Sequence, residues 1–217
     1  GPSSSPSRGA AEVRPGALLI DFGGVLTSDV GDAFDTYART AGLPDGALPT
    51  LLREDSAANS MFVGFEVGRV SQAEFEPAFA ERLTARFGVE VEAEGLVRGL
   101  TAALSPDLEM IAVLRRIRAA GVPVAIVSNS FGMEAYDGYE LEAIADLVVI
   151  SAELGVRKPS RRIYRHAAAA LAVDTASCLF VDDLELNLAG AKRLGMAVLH
   201  HRLTAETVPA FEQAFAL

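Results

Sequence analysis

Three short runs of this chain are apolar at every position and end on a polar residue. Ala17-Leu18-Leu19-Ile20 ends on Asp21, Val124-Ala125-Ile126-Val127 on Ser128, and Leu179-Phe180-Val181 on Asp182-Asp183. Unbroken apolar runs of this length read as strands buried on both faces, the pattern of a parallel sheet. The polar residues fall where such a sheet exposes its ligand-binding edge.

Between the first two runs the period changes. From about 30 to 104 apolar residues recur at helical spacing, as in Phe34, Tyr37 and Ala38, and in Phe75, Ala78, Phe79 and Leu83. Ser71 with Glu74 three residues on is a helix start. Gly64, Gly68 and Gly88 are expected to divide this block into several helices with loops. After 105, strand and helix patterns alternate. Ser105 is expected to cap a helix with Pro106 at its first position, ended by Gly121. A strand over Val122–Ser128 follows, then a helix over about 134–145 and a strand over Leu147–Ile150. Ser160 caps a helix to about Ala172. A strand over Cys178–Val181, a helix over about 187–194, a short strand over Ala197–Leu199 and a helix near 204–215 complete the pattern. Alternation of this kind predicts an α/β fold, a doubly wound, Rossmann-like parallel sheet covered on both faces. The helical block is too long for a simple crossover. It reads as an inserted α-helical cap domain, 30–104, with the core formed by 16–29 and 105–217. Residues 1–15, opening Gly1-Pro2-Ser3-Ser4-Ser5-Pro6-Ser7, read as a tag remnant and disordered lead-in with no signal-peptide core.

Composition narrows the partners. Half of the 217 residues are hydrophobic and the net charge is −10. An acidic chain argues against a nucleic-acid backbone or an anionic membrane surface, while a metal can still invert the field for a small anionic substrate. No apolar stretch approaches the roughly 18 residues of a membrane span. The single cysteine, Cys178, lies inside an apolar run and reads as a core residue, which suits a reducing, cytoplasmic setting. Lys158 and Lys192 are the only lysines in an arginine-rich chain. Lys158, in Arg157-Lys158-Pro159, is therefore a place where a compact ammonium is wanted. His166, His200 and His201 form no spaced ligand set.

Asp21, Ser128, Lys158 and the Asp182-Asp183 pair together supply a nucleophilic carboxylate, a hydroxyl, a cation and two further carboxylates. That set suits phosphoryl transfer with a divalent metal. Taken singly, each has an ordinary reading as a turn, cap or solvated loop residue. A receiver domain also combines acidic residues with a lysine on a doubly wound sheet, but there the acidic pair comes early, and here it comes last.

In order, Asp21-Phe22-Gly23-Gly24-Val25-Leu26, Ser128-Asn129, Arg157-Lys158-Pro159 and Val181-Asp182-Asp183 resemble the haloacid dehalogenase-like hydrolase superfamily. The Phe-Gly-Gly form of the first motif and the stretch Ile150–Pro159 resemble the subgroup of a glucose-1-phosphate phosphatase and the N-terminal phosphatase domain of soluble epoxide hydrolases. The resemblance implies that Asp21 is a nucleophile forming an aspartyl-phosphate. It implies Mg²⁺ held by Asp21, Asp183 and the Gly23 carbonyl, with Asp182 acting through water or holding Lys158. Ser128, the Asn129 N–H and Lys158 would bind the phosphoryl oxygens, with Gly24 beside them. Asn187 either hydrogen-bonds the site edge or caps the next helix.

The resemblance also brings a departure. Most phosphatases of the superfamily carry a second Asp two residues after the nucleophile as general acid and base, and here Gly23 stands there. Asp29 and Glu66 are candidate replacements. A substrate with a low-pKa leaving group, or a weakened phosphate-binding relative, would also accommodate the loss. In Met61–Arg69, Glu66 and Arg69 are expected to reach substrate hydroxyls or a second anion from a loop, with Phe62 and Phe65 in the cap core. Phe131 and Tyr136 are readable either as site or as core. The expected activity is hydrolysis of a small phosphorylated metabolite, a sugar phosphate or similar. The alternatives are dehalogenase, phosphotransferase or phosphate-binding module, and a homodimer is among the assemblies open to the chain.

Overall fold

The structure, a computed structural model, describes residues 13–217. Of the expected lead-in, residues 1–12 lie outside that range. Five strands, β1 (Ala17–Ile20), β2 (Val124–Ser128), β3 (Leu147–Ile150), β4 (Cys178–Asp182) and β5 (Ala197–His200), form one sheet in the order β3-β2-β1-β4-β5. Every pairing is parallel. Alternate side chains of β1 serve opposite faces. Leu18 and Ile20 pack with α6 (Leu108–Ala119) and the C-terminal α11 (Thr204–Phe215), while Ala17 and Leu19 pack with α9 (Arg161–Ala170) and α10 (Glu185–Lys192). Both faces are thus covered, which is why the strands are apolar throughout. The strand order reverses direction on either side of β1, and that switch point puts Asp21, Ser128 and Asp182 at one edge.

Five helices lie between β1 and α6: α1 (Val30–Thr40), α2 (Ala47–Glu54), α3 (Ser56–Glu66), α4 (Gln72–Phe87) and α5 (Leu96–Thr101). They share an apolar cluster of their own, centred on Leu51, Phe65, Phe75, Phe79 and Leu100. The Ser71–Glu74 capping box is formed at the start of α4. Two further short helices, α7 (Leu141–Ile144) and α8 (Ser151–Leu154), flank β3.

Several boundaries differ from expectation. The cap of α6 is Asp107, whose side chain accepts from Met110 N–H at 3.0 Å, rather than Ser105. Ser105 and Pro106 are instead used to fasten the chain's two crossings together. Thr27 bridges Pro106, Ser28 N–H donates to Ser105 O, and Ser105 N–H donates to the Ser28 hydroxyl. The helix expected over 134–145 is a 3₁₀ turn at Met133–Tyr136 and then α7, because Gly132 and Gly138 take positive φ and break the run. Helix α10 starts at Glu185, two residues earlier than expected. Met61–Glu66 is helix and not loop, since Asp55 caps α3 through the N–H groups of Ala57 and Ala58. Gly64 sits inside that helix, where a Cβ would come within 2.7 Å of Val70.

Candidate active site

Asp21 follows β1 and is almost fully buried. Its Oδ1 accepts from Phe22 N–H and from the Lys158 ammonium, each at 2.8 Å. The same ammonium donates to Asp182 Oδ2 at 2.8 Å. Lys158 and Asp182 are 1% and 0% exposed, so this is an ion cluster in a dry interior. Asp183, the next residue, lies beside the cleft, and its carboxylate, with those of Asp21 and Asp182, offers oxygens within 4.8 Å of one another.

Three carboxylates thus face one ammonium. Burial pushes Asp183 up to about 8, and repulsion from Asp21 and Asp182 adds to the shift. Burial likewise raises Asp21 to about 6, with Asp182 adding to it and Lys158 opposing it. Burial alone would lower the lysine, but its two carboxylate partners outweigh that and hold it protonated above its usual value. The donor set has the chemistry to hold a divalent cation. It is made of hard oxygens, it is crowded, and it carries more negative than positive charge, so it fits Mg²⁺. Gly24 strengthens the fit. At φ +80°, a Cβ there would lie 2.5 Å from Asp183 Oδ2, so only glycine lets that carboxylate take its place. Gly24 N–H itself donates to the Thr27 hydroxyl at 2.9 Å, which fixes the turn.

Supporting contacts hold the cluster in shape. Asn187 donates from Nδ2 to both oxygens of Asp182, at 3.2 and 3.1 Å, and α10 has no side-chain cap. Asn187 therefore buttresses the site and does not cap the helix. The Asn129 amide clasps the backbone of Lys158, accepting its N–H at 2.8 Å and donating to its carbonyl at 3.1 Å. The side chain of Asn129 is thereby committed. The Ser128 hydroxyl shares a 2.7 Å hydrogen bond with the Tyr136 hydroxyl, which burial makes a weaker acid than usual. That tyrosine sits on the short 3₁₀ turn, stacked at a tilt on Phe22 at 4.9 Å. Its role was not separable from core packing in the sequence, where neither its distance from Ser128 nor its partner is visible.

The cleft above this cluster has a volume of about 620 Å³. Asp21, Gly23, Ser128, Asn129, Lys158 and Asp183 border it, and so do Glu66 and Asp29. The two last-named acids are both engaged. Glu66 pairs with Arg157, although burial still raises its pKa, and Asp29 caps α1 through Asp32 N–H at 2.8 Å. Arg69 is exposed and outside the cleft, past the turn at Gly68, so it does not serve the second anion expected of it. Phe65 is buried in the helical cluster, as its spacing suggests. Phe62 is half-buried and lines the cleft, stacked on Phe131 at 4.7 Å.

The chain is similar to several known proteins. Over 106 residues the chain is 32% identical to the sesquiterpene phosphatase astK of Aspergillus oryzae, covering 48% of this chain and 54% of that protein. Over 98 residues it is 33% identical to the (S)-2-haloacid dehalogenase H-109 of Pseudomonas putida, covering 44% of each. The chain spans about half the length of the curated relatives it matches. The fold matches that of a HAD family enzyme from Bacteroides thetaiotaomicron, solved with magnesium and inorganic phosphate, at a TM-score of 0.63 and 19% identity, over 86% of this chain and 93% of that one. The profile of haloacid dehalogenase-like hydrolases runs through all four motifs, matching residues 15–195, and the chain belongs to that family.

Proposed function

We propose that this chain is a Mg²⁺-dependent phosphatase that hydrolyses a small phosphomonoester through an aspartyl-phosphate on Asp21. The observation that carries this reading is the buried cluster of Asp21, Asp182, Asp183 and Lys158 opening into a cleft. Both hydrogen bonds to Asp21 fall on Oδ1, which leaves Oδ2 for in-line attack on phosphorus. The Asp21 oxygen–phosphorus bond forms as the bond to the ester oxygen breaks, and the departing alkoxide takes its proton from solvent to leave as the alcohol. Water then attacks phosphorus, releasing inorganic phosphate and freeing the carboxylate. Lys158 stands beside the transferred group to balance its spread charge, and the Ser128 hydroxyl and Asn129 N–H line its other side. Asp21 and Asp183 would hold Mg²⁺ with the Gly23 carbonyl, while Asp182 holds Lys158. When bound, that ion supplies neutralisation between the carboxylates and the phosphate oxygens.

Neither candidate replacement for the acid missing at Gly23 is free of internal partners, Glu66 being paired with Arg157 and Asp29 accepting Asp32 N–H. At equal fit to the cleft, hydrolysis should therefore be faster for esters of the more acidic alcohols. The relative named as a haloacid dehalogenase supports a second reading, attack of Asp21 on a carbon–halogen bond. The crowded Asp183 beside Asp21 favours the metal-dependent one. Release of phosphate from an aryl phosphate with Mg²⁺ and with EDTA, for wild type and Asp21→Asn, tests this. Turnover that needs Mg²⁺ and falls on the order of 10⁴-fold or more in Asp21→Asn is expected. Halide release from 2-haloacids, unaffected by EDTA and without phosphatase activity, would replace the proposal with the dehalogenase reading.

A further inference from the structure

We infer that the substrate is the monophosphate of a hydrophobic alcohol, an alkyl, prenyl or aryl ester, and not a sugar phosphate or a molecule with a second anionic group. This rests on the phosphatase reading above and adds the leaving group to it. The apolar wall of the cleft includes Phe34, Leu52, Phe62, Leu104, Phe131 and Leu184. Phe131 comes from the loop after β2 and packs against Phe34 at 5.6 Å and Phe62 at 4.7 Å. Core and helical layer thus close on the cleft through one aromatic surface.

Sugar hydroxyls need convergent donors and acceptors, and the amide and carboxylate side chains bordering the cleft already carry partners within the protein. Asn129 has both amide atoms on the Lys158 backbone. The Asn187 NH₂ is on Asp182, Glu66 is on Arg157, and Asp35 accepts Gly46 N–H at 2.7 Å. Among the described residues bordering the cleft, Lys158 is the only cation, and it is held between two carboxylates. A second phosphate or carboxylate would meet Asp29, Asp35 and Glu66 without a positive partner. A hydrophobic group, by contrast, gains from leaving water for this wall.

The test compares primary alkyl phosphates of increasing length, below their critical micelle concentrations, with glucose 6-phosphate. All are esters of primary alcohols, so leaving-group strength is nearly matched. From butyl to octyl phosphate, kcat/KM should rise about fourfold per added methylene, the transfer value of a buried CH₂. Hexyl phosphate should exceed glucose 6-phosphate, and Phe131→Ala should flatten the slope. A flat series, or glucose 6-phosphate turned over as fast as hexyl phosphate, overturns the inference while leaving the phosphatase reading intact. If no ester is hydrolysed, that reading fails instead. Calorimetric titration of Asp21→Asn with octyl phosphate and glucose 6-phosphate then decides the cleft by itself. Tighter binding of octyl phosphate upholds the inference, and equal or weaker binding overturns it.

Discussion

On the floor of the cleft, Asp21, Asp182 and Asp183 sit at or just beyond strand ends, and Lys158, from the loop after α8, donates to Asp21 and Asp182 at 2.8 Å, with the Asp183 carboxylate within 4.8 Å of the other two. On its wall, Phe34, Leu52, Phe62 and Phe131 lie on helices and a loop, and Phe131 packs its ring against Phe34 and Phe62 with centroids 5.6 and 4.7 Å away. The floor derives its precision from backbone register, because a parallel ladder fixes where each strand ends. The wall derives its shape from packing, which tolerates exchange among apolar residues of similar volume. In such an arrangement the reaction type belongs to the floor and the choice of substrate to the wall. Substitutions should separate accordingly, with stability and turnover falling together on the floor and substrate preference moving alone on the wall.

The sharpest test of that division is Lys158→Met. It removes the one cation among two buried carboxylates and a half-buried third while keeping most of the side chain's volume. Breaking a buried ion pair by deleting one partner costs about 3–5 kcal/mol. Urea unfolding should show a loss in that range, with turnover abolished. Leu52→Ala, in the half-buried wall, should cost less, about 1–2 kcal/mol, and shift KM across the alkyl series without removing activity. Equal losses of stability and turnover in the two variants would erase the distinction.

The next effect comes from the metal. Asp21 and Asp183 have folded-state pKa values of about 6 and about 8, above the ordinary 3.8. A group raised on folding contributes stability that is full below its unfolded value and lost as pH rises through its folded value. Metal-free protein should therefore lose stability between about pH 4 and pH 8 through these two carboxyls, with the slope easing near 6 and levelling near 8. A cation at the cluster favours the charged forms and reverses that loss. The increase in Tm on adding Mg²⁺ should be small at pH 5 and larger at pH 8, read by scanning calorimetry against EDTA controls. A gain independent of pH would place the ion elsewhere.

The sequence exposes the floor far better than the wall, and the reason is physical. Asp21, Ser128 and Asp182 end apolar runs, so their position at the sheet edge follows from the strand pattern itself. Lys158 stands out because the chain otherwise uses arginine. The wall residues carry no such mark. Phe62 and Phe65 are three apart on one helix and both pack against the helical cluster, yet only Phe62 also borders the cleft, and the packing of α3 decides which. Arg69 is misplaced for a related reason: a helix cap at Asp55 and a turn at Gly68 carry it out to solvent. The even choice over Asn187 is settled by the hydrogen bonds it makes to Asp182, which no spacing rule encodes. Asn187→Ala should consequently behave as a floor substitution although it touches no substrate phosphate. Leaving the Asp182 carboxylate short of its amide donor costs about 1–3 kcal/mol, and kcat should drop with KM little changed as Lys158 loses its fixed partner.

Tyr136 tests the boundary between the two regions, because it belongs to both. Its ring packs against Phe22 at 4.9 Å and borders the cleft, while its hydroxyl meets Ser128 Oγ at 2.7 Å. Tyr136→Phe keeps the ring and deletes only the hydroxyl. One neutral hydrogen bond contributes about 0.5–1.5 kcal/mol, so a fall in kcat/KM of about two- to tenfold is expected, with stability nearly unchanged. If the hydroxyl serves the floor by orienting Ser128, the loss should be the same factor for butyl and for octyl phosphate, because the ring surface is intact. If the tyrosine serves the wall, the slope with chain length should change instead. A parallel displacement of the whole series therefore assigns Tyr136 to positioning Ser128, and a change of slope assigns it to the leaving group's surroundings.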